Sequence, residues 1–108
     1  MTVSEMASAL DLTPVSLGDT QREVTGGYSG DLLSWVMGRA QSGDAWVTIM
    51  SNANIVAVAT LADTAAVILA EGVLLEPEVA ELARSKGINV YTSPLSAFVL
   101  CGRLAALL

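Results

Sequence analysis

The side chains best suited to chemistry lie in one glycine-rich stretch, Thr25-Gly26-Gly27-Tyr28-Ser29-Gly30-Asp31. Glycines permit a tight turn and let backbone amides approach a bound group closely. The stretch follows an extended segment and precedes a helical pattern, so it predicts a strand-to-helix turn. Either the glycines only permit that turn, with Thr25 and Ser29 satisfying backbone donors, or the turn binds an anion or small molecule. It contains no Lys or Arg, which weakens any strong phosphate site.

Short polar loops follow the other predicted strands and extend this set. In a parallel sheet, ligands bind beyond the carboxyl ends of the strands. The loops expected at that edge are Gly26–Gly30, Ser51–Asn54, Glu71–Leu75 and Thr92-Ser93. Ser51, Asn52 and Asn54 have an alternative role, which is to cap the next helix. The candidate ligand-binding residues are Thr25, Gly26, Gly27, Tyr28, Ser29, Gly30, Asp31, Ser51, Asn52, Asn54, Thr92 and Ser93.

Several reactions lack the residues they need. The chain has no histidine and one cysteine, Cys101, so a serine or cysteine nucleophile has no histidine base. A structural zinc site and an iron–sulfur cluster also lack their usual ligands. Lys86 is followed by Gly87, and no G-x-x-x-x-G-K precedes it, so there is no P-loop. The sequence therefore predicts no catalytic residue, no metal site and no cofactor.

The elements that must position the candidate residues alternate between strand and helix. This alternation predicts an α/β fold with a mostly parallel central sheet and helices on both faces. Ile55–Ala62 has no clear period; a helix is favoured because parallel strands need a crossover, and a hairpin is the alternative. Ser93 and Pro94 predict the N-cap and first turn of the last helix. The predicted strands are Thr13–Leu17, Arg22–Thr25, Ala45–Met50, Ala65–Ala70 and Ile88–Tyr91.

Composition and charge narrow the possible partners. The net charge is -6, and the five cations are scattered, which disfavours nucleic acid and an anionic membrane surface. The longest uncharged run, between Asp44 and Asp63, has polar residues near its middle and is a poor membrane span. The chain starts without a secretory signal, and its single cysteine suits a reducing cytoplasm. We therefore expect one cytoplasmic domain over residues 1–108.

An excess of apolar residues suggests self-association. Hydrophobic residues make up 53% of the chain, which is high for so small a domain. The last helix has two apolar sides, and only one can face its own sheet. The other side predicts an interface, and a two-fold homodimer is the commonest solution. The residues expected there are drawn from Leu100, Cys101, Leu104, Leu107 and Leu108.

The run from Glu23 to Ser34 resembles the signature of the DRTGG-domain family. Three further segments resemble it too, and with that run the resemblance covers nearly the whole chain: Asn54–Ala59, Leu61–Asp63 and Thr92–Ser96. The departure lies in the name-giving motif. Glu23-Val24 replaces Asp-Arg, while Thr25-Gly26-Gly27 is kept, so any role of that arginine is absent here.

The resemblance implies a fold and a class of function. The implied fold is that of the N-terminal domain of HPr kinase/phosphorylase, a three-layer α/β/α sandwich. DRTGG domains occur as regulatory inserts beside CBS domains in some pyrophosphatases and within some phosphotransacetylases. Stand-alone members are similar to proteins encoded near iron hydrogenase subunits. A serine-kinase label does not transfer, because the kinase P-loop belongs to a separate domain.

Two functions follow as hypotheses. The first is a non-catalytic accessory or regulatory module that self-associates and contacts a metabolic enzyme or complex. The second is a sensor that binds a nucleotide or another phosphorylated metabolite at the carboxyl edge of the sheet. The absence of catalytic groups favours the first, and the small polar residues of the edge loops favour the second.

Overall fold

Short apolar runs bounded by turn residues form a central five-stranded sheet in the computed structural model, which describes all 108 residues. The strand order is β1-β5-β4-β3-β2, and only β1 is antiparallel to its neighbour. The mostly parallel sheet expected from the alternating pattern is thus confirmed. The strands are β1 Thr13–Ser16, β2 Gly26–Ser29, β3 Asp44–Thr48, β4 Ala66–Leu69 and β5 Val90–Thr92.

Helices cover both faces of this sheet and complete the three-layer α/β/α sandwich. The helices are α1 Val3–Ala9, α2 Leu33–Arg39, α3 Asn54–Ala62, α4 Pro77–Ser85 and α5 Ala97–Leu107. One apolar core packs α1 and α5 against the sheet, and a second packs α2, α3 and α4 against the opposite face. The central strands β3 and β4 are buried along their whole length, which explains their continuous apolar sequence.

The ambiguous segment Ile55–Ala62 is a helix, so the hairpin alternative is wrong. It lies within α3 and connects two parallel strands, β3 and β4. Ile55 and Val58 pack against the sheet, and the helix ends at Asp63 in the left-handed conformation. The crossover requirement therefore decided between two structures that composition alone left open.

Two predictions about glycine and proline signals are wrong. Gly26 to Ser29 form β2 rather than a turn, and neither Gly26, Gly27 nor Gly30 has a positive φ. The last helix begins at Ala97, three residues after Pro94, with Ser96 as its N-cap. The turn signal at Ser93 is real, because its Oγ accepts a hydrogen bond from the Leu95 amide at 3.2 Å. It forms a separate turn before the helix.

The last helix also turns a different side to the sheet than the sequence suggested. Leu100 and Leu104 are buried in the core, so they are not available to an interface. Cys101 is half-buried, whereas Leu107 and Leu108 remain exposed with Phe98 and Val99. No helix of the chain is long and apolar enough to cross a bilayer.

Candidate functional site

The carboxyl edge of the sheet carries most of the candidate residues, as the parallel topology requires. Asp31 lies there in the connection from β2 to α2, and not in the first turn of the helix. Its Oδ1 accepts hydrogen bonds from the Thr48 hydroxyl at 2.8 Å and the Ile49 amide at 2.9 Å. In the same connection, Trp46 Nε1 donates to the Gly30 carbonyl at 2.9 Å. These bonds fix the end of β2 to the end of β3.

Other polar side chains at this edge also stabilise their own loops. Asn52 Oδ1 accepts from the Asn54 amide at 2.9 Å in the turn before α3, whereas the N-cap position itself, Ala53, has no side-chain cap. The Thr92 hydroxyl donates to the Val73 carbonyl at 2.9 Å, and Ser93 supports the turn before α5. The side chains of Ser29, Ser51 and Asn54 make no hydrogen bond and remain available to a ligand. Binding at these residues stays a prediction.

The carboxyl edge lacks the charge that a phosphate needs. Arg39 and Arg84 sit in the last turns of α2 and α4, and these helices run back toward the amino edge. The acidic residues Asp31, Glu71 and Glu76 lie in the carboxyl-edge loops instead. An anionic ligand at this edge would therefore depend on backbone amides and hydroxyl groups.

Two candidate residues lie at the opposite edge. Gly26 pairs with Asp44 at the start of both strands, so it marks the amino edge of the sheet. Thr25 precedes it, and its hydroxyl donates to the Ser42 carbonyl at 3.4 Å. The twelve candidate residues are therefore divided between two edges, and none of the four cavities in the chain joins the carboxyl-edge loops.

An apolar cavity lies beneath β2, where the sheet meets α5. Its volume is about 230 Å³, and Gly27, Tyr28 and Ser29 form one wall. Four residues form the opposite side: Cys101, Leu104, Ala105 and Leu108. The cavity exists because Gly27 contributes no side chain to the space between β2 and α5. Its lining contains no charged side chain, and Ser29 contributes a hydroxyl group.

A polar cavity of about 210 Å³ lies at the amino edge. Arg22 and Lys86 line it together with Asp19 and Asp63, so both charge signs are present. Arg22 donates to Asp63 Oδ1 at 2.8 Å, and this guanidinium, with help from Ser42, holds the pKa of the Asp63 carboxyl below its usual value. Sequence reasoning missed this cavity because its residues come from three separate segments, 19–22, 59–65 and 86–89, with no local motif.

One lining residue of the polar cavity has an unsatisfied hydroxyl. Thr64 Oγ1 is fully buried and has no hydrogen-bond partner. Nearby, Asn89 uses its amide fully: Nδ2 donates to the Asp19 and Ala65 carbonyls, and Oδ1 accepts from the Gly18 amide. Asn89 is therefore a structural cross-link. No group of three or more Asp, Glu and Cys side chains is placed to hold a metal ion.

Comparison with known proteins identifies the fold. No protein-family model matches the chain, and no curated protein matches it. A solved structure that is similar comprises the CBS and DRTGG domains of the regulatory region of Clostridium perfringens pyrophosphatase, complexed with its activator, diadenosine tetraphosphate. The TM-score is 0.74 at 17% identity, and the match covers 95% of this chain and 45% of that chain.

This likeness confirms the fold that the sequence resemblance predicted. The chain has the α/β architecture found in a DRTGG-containing regulatory region, although its own motif carries Glu23-Val24 in place of Asp-Arg. It spans less than half of the chain it matches. Val24 explains part of the departure, because it is buried in the core that α1 and α5 share. A buried valine at this position contributes packing, where an arginine would bring a charge.

Proposed function

We propose that the chain is a non-catalytic accessory or regulatory module that self-associates and contacts a metabolic enzyme or complex, with a hydrogenase as one candidate. One observation carries this proposal. Seven of the eleven exposed large hydrophobic residues lie on Leu32–Arg39 and Ala97–Leu108, although the chain is small and acidic. Exposed apolar residues concentrated in this way are typical of protein-contact surfaces.

The chemistry of the remaining surface supports a role without catalysis. The chain has no histidine, its cysteine is half-buried beneath β2, and no carboxylate cluster can hold a metal. The regulatory function of the pyrophosphatase region is a property of that protein, and it supports the same class of role here. A reducing cytoplasm as the compartment is part of the proposal.

Mass measurement and reconstitution test this proposal together. We expect sedimentation at micromolar concentration to give the mass of two chains. A purified enzyme recovered with the chain from its native host should bind it directly in a two-component assay and change in activity. The chain alone should neither hydrolyse ATP nor phosphorylate a serine substrate, because it has no residues to hold the phosphates and magnesium in the P-loop manner. A monomer with no direct partner, or turnover abolished by a point substitution, would contradict the proposal.

A second candidate function is a sensor for a nucleotide or another phosphorylated metabolite. The observation that favours it is the nucleotide activator in the similar pyrophosphatase region. Two places on this chain suit such a ligand: the unbonded side chains of Ser51 and Asn54 at the carboxyl edge, and the amino-edge cavity with Arg22 and Lys86. The edge offers amides and hydroxyls, whereas the cavity offers positive charge.

Calorimetric titration separates these two places. The probes are diadenosine tetraphosphate, ADP and AMP, each titrated into the unmodified chain. A site at the carboxyl edge predicts that Asn54→Ala weakens binding and Lys86→Ala does not, and a site in the cavity predicts the reverse. Leu74→Ala, at an exposed residue outside both places, is the control. Absence of heat with all three probes at millimolar concentration would exclude this class of ligand.

A further inference from the structure

β2 is an edge strand whose own outer side is free, whereas the chain just before it, at Glu23 and Val24, is bonded by Met1 and Thr2. It is the last strand of the sheet and pairs only with β3. Residues of β2 make no hydrogen bond outside the ladder with β3. The neighbouring backbone bonds come from Thr25 and Gly30, which flank the strand. Thr25 donates toward β3, so the alternation of the ladder directs the amides of Gly26 and Tyr28 outward. An edge of this kind is a template for another strand.

Two apolar helix flanks border this free edge, one on each face of the sheet. On α5, the i, i+3, i+7, i+10 series from Phe98 through Cys101 and Ala105 to Leu108 shares one side. The last three of these residues line the cavity beneath β2, so this side overhangs the edge strand. Phe98 is 89% exposed. The cavity of about 230 Å³ lies between this flank and β2.

The second flank belongs to α2. Leu32, Trp35 and Arg39 follow the i, i+3, i+7 pattern and share one side. A right-handed crossover from β2 to β3 places that side away from α3 and over the free edge. The Arg39 guanidinium lies over the half-exposed Trp35 ring, 3.7 Å from its centre, and this cation–π contact links the two side chains.

The charge composition of β2, α2 and α5 resembles that of a protein interface. β2, α2 and α5 contain none of the eleven acidic residues and no lysine, and their only charges are Arg39 and Arg103. Interface cores are enriched in aromatic residues, Met and Arg and are depleted in Lys, Glu and Asp. In an acidic chain, a strand and two helices without a carboxylate are therefore a site where a second acidic chain can approach.

We propose that a second copy of this chain docks along β2, antiparallel, and extends the two sheets into one of ten strands. This inference rests on the self-association in the proposed function and assigns its surface. Antiparallel copies bring the Arg39 end of one α2 beside the Asp31 end of the other, so the charges at the two rims are complementary. Gly26 and Gly27 leave the strand free of bulky side chains where the two backbones meet.

The exposed area is of the right order for a stable dimer. Trp35 is 52% exposed, and with Phe98 it presents roughly 300 Å² of aromatic surface. A standard interface buries about 800 Å² per subunit. The backbone of β2, Leu32 and Leu108 supply further contact area. Trp and Arg are also the residue types that most often dominate binding energy.

Charge placed on the free edge tests the inference against a matched control. Ser29→Lys adds an exposed lysine to β2, and Thr13→Lys adds one to β1, the other edge strand. Trp35→Glu and Leu61→Glu form a second pair, at exposed apolar residues on α2 and on α3. We expect Ser29→Lys and Trp35→Glu to raise the dimer dissociation constant about 30-fold or more and both controls to leave it unchanged.

Hydrogen exchange gives a readout at the strand itself. The outward amides of Gly26 and Tyr28 should exchange slowly in the dimer and faster on dilution, while the inward amide of Thr25 stays protected. If the unmodified chain is a dimer that neither β2-edge variant weakens, the two copies meet elsewhere and this inference is wrong, although self-association stands. A monomeric unmodified chain overturns both. Melting curves identify any variant whose dimer dissociates only because the chain unfolds.

Discussion

The two edges of the sheet are built in opposite ways. β1 is antiparallel to β5 and contains Pro14, which cannot donate to a further strand. Its register shifts between Pro14 and Ser16, an irregularity that bends an edge away from regular pairing. At the end of the strand, the Ser16 hydroxyl donates to the Ile88 carbonyl at 2.7 Å. Proline and a bulge are common protections of an edge strand against association.

β2 has none of these protections. It pairs in regular parallel register with β3 from Gly26 to Ser29, and it contains neither proline nor charge. Two glycines leave its backbone accessible, although glycine in a strand usually costs stability. Only one of the two sheet edges is therefore open to a further strand, and apolar helix flanks border that edge. The contrast between the two edges supports the contact surface proposed at β2.

Charge introduced beneath the open edge should have the largest effect of any substitution considered. Leu104 is 4% exposed and packs against Gly27 from α5. We expect Leu104→Glu to destabilise the chain by about 4 kcal/mol or more, because it buries an unpaired carboxylate. Chemical denaturation measures this loss. Leu107→Glu, at an exposed position on the same helix, is the control and should unfold near the unmodified midpoint.

Equal losses from Leu104→Glu and Leu107→Glu would mean that α5 turns another side to the sheet. That result would also remove the apolar flank beside β2. The sequence had suggested Leu104 as an interface residue, so this pair of variants separates the two placements directly.

Patterns with one physical solution were predictable from the sequence. Ile55–Ala62 had to be helical, because its flanking strands are parallel and a crossover must connect them. The buried strands β3 and β4 were recognisable from continuous apolar runs. The carboxyl-edge position of Asp31, Asn52 and Ser93 followed from the same topology.

Patterns with several solutions were not predictable. Glycines at 26 and 27 are typical of a turn, yet the chain uses them to open an edge strand and to make room for Leu104. α5 is apolar on several sides, so only the packing against β2 selects Leu100 and Leu104 as its buried face. The amino-edge cavity joins Arg22 to Lys86 across the fold, and no local pattern carries such a long-range contact.

Filling the space beside Gly26 and Gly27 should cause the next largest loss of stability. A Cβ at residue 26 would lie 2.7 Å from Asp44 Oδ1, whereas at residue 27 the nearest atom is Leu104 Cδ2 at 3.3 Å. We expect Gly26→Val and Gly27→Val each to cost about 1–3 kcal/mol by overpacking. Their φ angles are not positive, so steric contact is the cause.

A glycine without neighbours gives the control for this series. A Cβ at Gly102 of α5 meets no atom within 4 Å. Gly102→Ala should therefore stabilise the helix by about 0.5–1 kcal/mol. Thermal melting shows whether each variant is less or more stable than the unmodified chain. A neutral Gly26→Val would show that Asp44 can move aside and that β2 is more loosely held than its register indicates.

Removal of the protection at β1 should have a smaller effect, on association rather than on folding. Pro14→Thr adds a backbone donor to an otherwise protected edge. We expect species larger than the dimer to form at high concentration, with a melting temperature close to that of the unmodified chain. Concentration-dependent light scattering measures this. Ser8→Thr on α1 is a control away from the edge. If Pro14→Thr adds no mass, the bulge alone is sufficient protection for β1.

The smallest expected effect is a pH dependence at the connection that leads into β2. Arg22 donates to the Asp63 carboxylate and to its carbonyl, both at 2.8 Å, and Ser42 donates to the other carboxylate oxygen. The Arg22 hydrogen bond is the main cause that lowers the pKa of Asp63 from its ordinary 3.8. A lowered folded-state pKa means that the contribution to stability is present above pH 3.8 and is lost as the pH falls through the folded value.

Asp63→Asn isolates this contribution, because asparagine tolerates the left-handed φ of 58° and cannot ionise in this range. The unmodified chain should melt slightly higher than the variant near neutral pH, and the difference should shrink as the pH falls below 3.8 and disappear once it passes the lowered folded-state pKa. The side chain of Asp63 is 60% exposed, so solvent screens the pair and added salt should reduce the difference further. Arg22→Gln should reproduce the same pH profile, since it removes the other partner. A loss of stability in Arg22→Gln that persists unchanged into strong acid would mean that the bond to the Asp63 backbone carbonyl, and not the carboxylate charge, fastens the segment before β2.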